Sequence, residues 1–281
     1  MQKKTNMKKL VYGIIIMILA GCGNEKGTNE LKTPSPGNTH FVWDFNESKK
    51  FIYTFSQTTI SENKMSKDEP NDKAYLSAEG NLNVRIKENQ LADLSLTNII
   101  LKSVDTDFEG NPRDTTTQEA PSTVIQDMKP DGSFDDSNSD ILFDILFPLP
   151  ATDLKQGEKD KIPMQMPFNA NGSRLFAKGF NTLTFDGNET IEGRKCAVLK
   201  GEIDISDLEV PEELKGEYKC STSGKATYYF DINNHFYVGA DIQLFMEVLI
   251  DSESDDEDDF GMFMEIKSDN VYKIRLEKIE E

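Results

Sequence analysis

Alternation with period two, sustained over an unusually long run, most constrains what this chain can become. From Phe236 to Ile250 every even position is apolar: Phe236, Val238, Ala240, Ile242, Leu244, Met246, Val248 and Ile250. The odd positions include Asp241, Gln243 and Glu247. An amphipathic helix would repeat its apolar stripe every three and four residues, so this pattern predicts a strand long enough to curve. The same period marks Phe51, Tyr53 and Phe55, then Leu82, Val84 and Ile86, then Leu94 and Leu96 beyond a turn at Glu88-Asn89. Ala226, Tyr228, Phe230 and Ile232 form a strand ahead of the long one, joined to it through a tight turn at Asn233-Asn234. Phe260 to Ile266 and Tyr272 to Leu276 form a closing strand, with an interruption expected near Ser268 to Asn270. The fold class is therefore mainly β: long antiparallel meander strands forming a curved sheet, a sandwich or an incomplete barrel.

These strands place a β-rich domain over residues 41–281. Inside it, residues 105–140 are rich in Asp, Thr, Pro and Ser and read as a polar loop. The expectation is either one β domain or two subdomains, 41–101 and 141–281, separated by that loop.

Ahead of the domain, Lys3, Lys4, Lys8 and Lys9 precede an apolar run from Leu10 to Ala20, with no acid before Glu25. The run is shorter than the roughly 20 residues a spanning helix needs and has the length of a secretory h-region. It ends in Leu19-Ala20-Gly21-Cys22, which resembles the lipobox of bacterial lipoproteins. That resemblance implies a signal peptide over 1–21, cleavage after Gly21, and a diacylglyceryl thioether with palmitate-type chains on Cys22. Residues 22–40, with Gly, Asn, Thr and Pro and a single large aliphatic residue (Leu31) between Gly23 and Thr39, then form a flexible tether. The implied address is the cell envelope. Gly23 stands where an aspartate would signal inner-membrane retention, which favours the outer membrane, periplasmic or surface-facing.

Loss of the four leader lysines would take the formal net charge from −19 to −23. Nucleic acid is excluded as a partner on this balance, because phosphate neutralisation needs clustered Lys and Arg. Lipid, not charge, is expected to hold the protein at its membrane.

A second resemblance rests on Phe147-Pro148-Leu149-Pro150, on Leu154-Lys155-Gln156-Gly157-Glu158, and on Gly193-Arg194-Lys195-Cys196-Ala197-Val198-Leu199. Together these are similar to Bacteroidetes-type envelope lipoproteins of unknown function, in which a Leu-Pro segment and a Gly-acid turn precede a β meander. The resemblance implies the address and the β architecture and no activity.

Candidate chemistry is sparse. Cys196 and Cys220 form a candidate disulfide in an oxidising envelope, although a return of the chain near Pro211 would set Cys196 opposite Ala226. With only His40 and His235, neither a histidine-based triad nor a multi-histidine metal site is expected. Ser61-Glu62-Asn63-Lys64 and Ser268-Asp269-Asn270 look like two of the three motifs of penicillin-binding enzymes, without a following Lys-Thr-Gly. Asp105-x-Asp107-x-Glu109-Gly110 begins like a calcium loop, but Arg113 and Thr116 stand at the ninth and twelfth positions. The acidic run Asp251 to Asp259 reads as a solvated hairpin loop. No metal or cofactor is expected, and no enzyme activity. The leading expectation is a noncatalytic binding module whose curved sheet holds a hydrophobic or lipid-like ligand. The alternative is a surface-exposed structural or adhesive lipoprotein whose acidic loops meet a partner with the help of divalent cations.

Overall fold

The computed structural model describes residues 39–106, 112–134, 141–170, 172–252 and 262–281. The leader, Cys22 and most of the tether lie outside these residues, as do the acidic stretch 253–261 and residues 107–111 of the calcium-like loop. Within them the chain forms β1 (Lys50–Lys64), β2 (Asp72–Ile86), β3 (Ala92–Thr106), β4 (Pro112–Glu119), β5 (Thr123–Met128), α1 (Ile141–Leu146), β6 (Lys159–Ala170), β7 (Ser173–Ile191), β8 (Arg194–Glu209), β9 (Gly216–Asp231), β10 (Phe236–Ser252) and β11 (Phe263–Glu280).

All eleven strands belong to one antiparallel sheet in the order β4-β3-β2-β1-β11-β10-β9-β8-β7-β6, with β5 beside β4 on the far side of β3. The sheet is curved and does not close into a barrel. Two meanders, β1 to β5 and β6 to β11, meet where β1 pairs β11 over its whole length. That seam runs one sheet through both 41–101 and 141–281, so the stretch between them is not a domain boundary. The polar stretch read as a loop contains β4 and β5: its threonines suit an exposed edge strand, and Ile125 and Met128 bury against β3.

Curvature is written into the sheet as bulges. The register shifts between Ile52 and Tyr53, Glu79 and Asn81, Lys178 and Gly179, Phe185 and Gly187, and Tyr237 and Gly239, and each extra residue bends its strand. At Gly179 the neighbouring backbone comes so close that a Cβ would sit 2.0 Å from the Asp204 carbonyl oxygen. Gly187 has φ 131°, a conformation side chains disfavour. The curl is tight: Thr222 on β9 donates to Met166 Sδ on β6 at 3.5 Å, across two intervening strands.

The free edge at β6 carries Pro163 and Pro167. Neither has an N–H to offer a further strand, which discourages edge-to-edge association.

The expected break near Ser268 to Asn270 is absent, and β11 runs unbroken. Those residues stay polar because Thr59 donates to Asn270 Oδ1 at 2.8 Å and Asn270 to Ser268 Oγ at 3.0 Å. The polar seam replaces apolar packing without ending the strand.

Candidate ligand trough

The concave face is the apolar one. Phe51, Tyr53 and Phe55 of β1, Leu82 and Val84 of β2, Tyr228 and Phe230 of β9, and Ala240, Ile242 and Leu244 of β10 all bury there. Among the described residues no second sheet covers it. The covering is made by residues 39–49 and by a strap, 129–134 and 141–158, from the connection between β5 at one end of the sheet and β6 at the other. Five of the six residues of α1 are buried.

Two tyrosines hold the strap to the sheet, and a third braces one of them. Tyr228 Oη donates to the Ile145 carbonyl at 2.9 Å, Tyr237 Oη to the Pro148 carbonyl, and Tyr53 Oη to the backbone carbonyl of Tyr237 at 2.8 Å. Burial raises all three hydroxyls above the ordinary tyrosine range, so they act as neutral donors. Phe147 inserts between Trp43, Tyr53 and Tyr237, with ring centroids 5.7, 5.5 and 5.4 Å away. Leu154 forms a β-bridge with Thr39, and His40 Nδ1 lies 2.6 Å from Asp153 Oδ1, which fastens the domain's entry to the end of the strap. The backbone N–H of Trp43 donates to the Pro130 carbonyl at 2.8 Å and that of Asp44 to the His235 carbonyl at 3.0 Å.

Beyond the strap the concave face changes character. Leu76 of β2, Met264 of β11, Met246 of β10 and Tyr218 of β9 point inward by register but are only half-buried. Between them runs the polar seam of Thr59, Ser61, Ser268 and Asn270, with Gln57 donating to Thr59 Oγ1 at 3.1 Å. The buried Asn63 Oδ1 finds no partner among the described residues. The concave face is thus covered by the strap at the tyrosine end, while at the methionine end these half-buried side chains alternate with fully buried Val248, Ile250 and Ile266.

The residues singled out from sequence fall as follows. The Cys196–Cys220 bridge does not form: both thiols are free and buried, and Cys196 faces Asp231, eleven residues along β9 from Cys220. At about 3.4 Å per residue that separation far exceeds the roughly 7 Å limit for a disulfide. The predicted facing residue, Ala226, instead faces Gly201. Burial pushes Cys196 up to about 11 and Cys220 up to about 12.

Ser61 and Ser268 are direct neighbours across β1 and β11, both buried on the concave face. Lys64, however, lies on the other face with its ammonium over the Phe263 ring, so the serine–lysine pair such chemistry needs is not assembled. His235 packs against Phe230 at a turn that Asp231 holds by accepting from the Asn233 and Asn234 N–H groups. No group of three or more metal-ligating side chains converges among the described residues, and no helix there is long and apolar enough to cross a membrane.

Sequence reasoning missed Tyr237 and Phe147. The run Phe236-Tyr237-Val238, three apolar residues in succession, was the signal of the bulge that turns Tyr237 inward. Nothing in periodicity marks Phe147 as the strap's anchor.

No protein-family model matches the chain, and no curated protein matches it. Among solved structures it is similar to one titled "Lipid-protein interactions in lipovitellin", with 12% identity and a TM-score of 0.43. The match covers 84% of this chain and 26% of that one, so the chain spans about a quarter of that structure's length.

Proposed function

We propose that this chain is a noncatalytic binding module of a bacterial cell envelope, anchored through lipid on Cys22, whose concave β-sheet takes a hydrophobic or lipid-like ligand. The observation that carries this reading is the uneven cover of a single-layer apolar face. The strap seals the tyrosine end, while Leu76, Met246, Met264 and Tyr218 leave an apolar mouth at the other. Thioether side chains suit such a mouth, because Met adapts to acyl chains of differing shape. Pockets of this kind join apolar walls to a few hydrogen-bonding groups, which the Thr59–Asn270 seam supplies. The outer membrane is the proposed address, with the tether spacing the domain from it.

The test is titration of the full-length protein, in a neutral detergent below its micelle-competing range, with a fluorescent acyl probe. Saturable binding by wild type that falls in Leu76→Glu and Met264→Glu supports the trough. Binding that is absent in wild type, or unchanged in both variants, overturns it. Tyr75→Glu, on the opposite face of β2, controls for added charge.

A further inference from the structure

On the outer face of the sheet one row of charges is matched across neighbouring strands, and a nearby group of lysines is not. Across five adjacent strands Lys73, Glu62, Lys267, Glu247 and Lys219 alternate in sign in direct register. Three of the four register pairs are made: Lys73 lies 3.0 Å from Glu62, Lys267 3.6 Å from Glu247, and Lys219 contacts Glu247. The lysine neighbours hold the Glu62 and Glu247 carboxyls below their usual range.

A few residues along the same strands lies an open cleft of about 510 Å³, floored by β8 to β11 and lined by Lys200, Lys225 and Lys273 together with Glu202 and Asp241. Here two lysines lack an ion-pair partner among the described residues. Lys273 stands opposite Asp241, but Asp241 is already gripped by both Nη2 contacts of Arg275, at 2.7 and 2.6 Å. Lys225 stands opposite Glu202 without forming an ion pair. Neither Lys225 nor Lys273 has a carboxylate within salt-bridge distance among the described residues, in a chain with 50 acids and 31 bases. Lys200 donates to Thr227 Oγ1 at 3.1 Å, which sets a hydroxyl beside it.

Register places these groups close enough to share a ligand. Lys225 is on the strand next to Lys200, two residues out of step, so their Cα atoms are about 7–8 Å apart. Lys273 is three strands from Lys200, about 14 Å away, and its side chain extends toward the same space. Gln243 adds an amide and Val271, exposed on the rim, an apolar contact. The cleft is of the size that holds small organic ligands, much larger than a bare oxyanion needs.

We infer that this outer cleft is an anion site, separate from the trough, for an organic phosphate ester bound by Lys200, Lys225 and Lys273. A soluble phosphate ester and the phosphate of a lipid headgroup share this chemistry. Point-charge ammonium groups suit a phosphate approached from several sides.

The test uses the full-length protein in neutral detergent micelles and reads the phosphorus NMR linewidth of two probes. One is glycerol 1-phosphate in solution; the other is phosphatidylglycerol dissolved in the micelles. Binding of either that weakens roughly tenfold or more in Lys225→Gln/Lys273→Gln, but not in Lys73→Gln, supports the site and identifies its source. Lys73 is a fair control because it lies on the same face and is paired. No binding of either probe, or equal binding by wild type and the double variant, overturns the inference. Circular dichroism of the double variant establishes that these exposed substitutions leave the sheet intact.

Discussion

Tyr228 and Ile145, 83 residues apart, are joined by a buried hydrogen bond in which the phenol donates to the backbone carbonyl at 2.9 Å while accepting from Asn181 Nδ2 at 3.3 Å. One hydroxyl therefore ties β9, β7 and the strap together. Tyr228→Phe keeps the ring and strands both partners without water to replace it. The expected loss is about 1–3 kcal/mol, which lowers Tm by several degrees. A thermal melt identical to wild type would show that the strap is not held this way.

Phe147→Ala removes the side chain around which Trp43, Tyr53 and Tyr237 close. The cost is expected at about 3–5 kcal/mol. Because the void opens on the concave face, the variant should also bind more of an environment-sensitive apolar dye than wild type under native conditions. Loss of stability without added dye binding would mean that the strap and the trough are energetically separate.

The strands were legible because alternation is imposed by the pleat itself, as the Phe236 to Ile250 run shows. What hid Tyr237 was the bulge at Val238, which shifts the face of every residue before it by one. The break expected at Ser268 failed for a different reason: polar residues on an inner face can be satisfied by each other across strands, as Thr59 and Asn270 are. The covering strap could not be read at all, since α1 has only six residues and its burial depends on tyrosines contributed by distant strands. The outer cleft was likewise invisible, because Lys200, Lys225 and Lys273 share no sequence pattern and meet only through register.

Cys196 and Cys220 are expected to be inert in the native protein. Burial raises them to about 11 and about 12 from an ordinary value of 9.0, so the thiolate fraction at pH 8 falls about 100-fold or more. A thiol reagent should label neither until denaturant is added and then both. The linked stability has a definite sign: a raised thiol favours folding fully below pH 9, and that contribution is lost as pH rises from about 9 through about 12. Rapid native labelling, or stability that climbs across this window after correction for lysine titration, would contradict the burial of both thiols.

Cys22→Ser tests the proposed anchor. A hydroxyl cannot form the thioether with diacylglycerol, and the leader peptidase acts only after that step. The variant is expected to lose labelling by radioactive palmitate and to keep residues 1–21 or to leave the detergent phase. The sheet begins well beyond Cys22 and should give an unchanged circular dichroism spectrum. Equal labelling and retention in both proteins would remove the anchor from the proposal.

Mass spectrometry of the organic extract is the most direct measurement of the binding role. Full-length protein is purified from its own membrane in neutral detergent and extracted without cleaving covalent lipid. Wild type is expected to release a noncovalent acyl-chain or similarly apolar molecule in near-stoichiometric amount, and Leu76→Glu/Met264→Glu to release far less. An extract of wild type indistinguishable from that of the double variant, with nothing above detergent and bulk membrane lipid, would contradict a hydrophobic ligand in the trough.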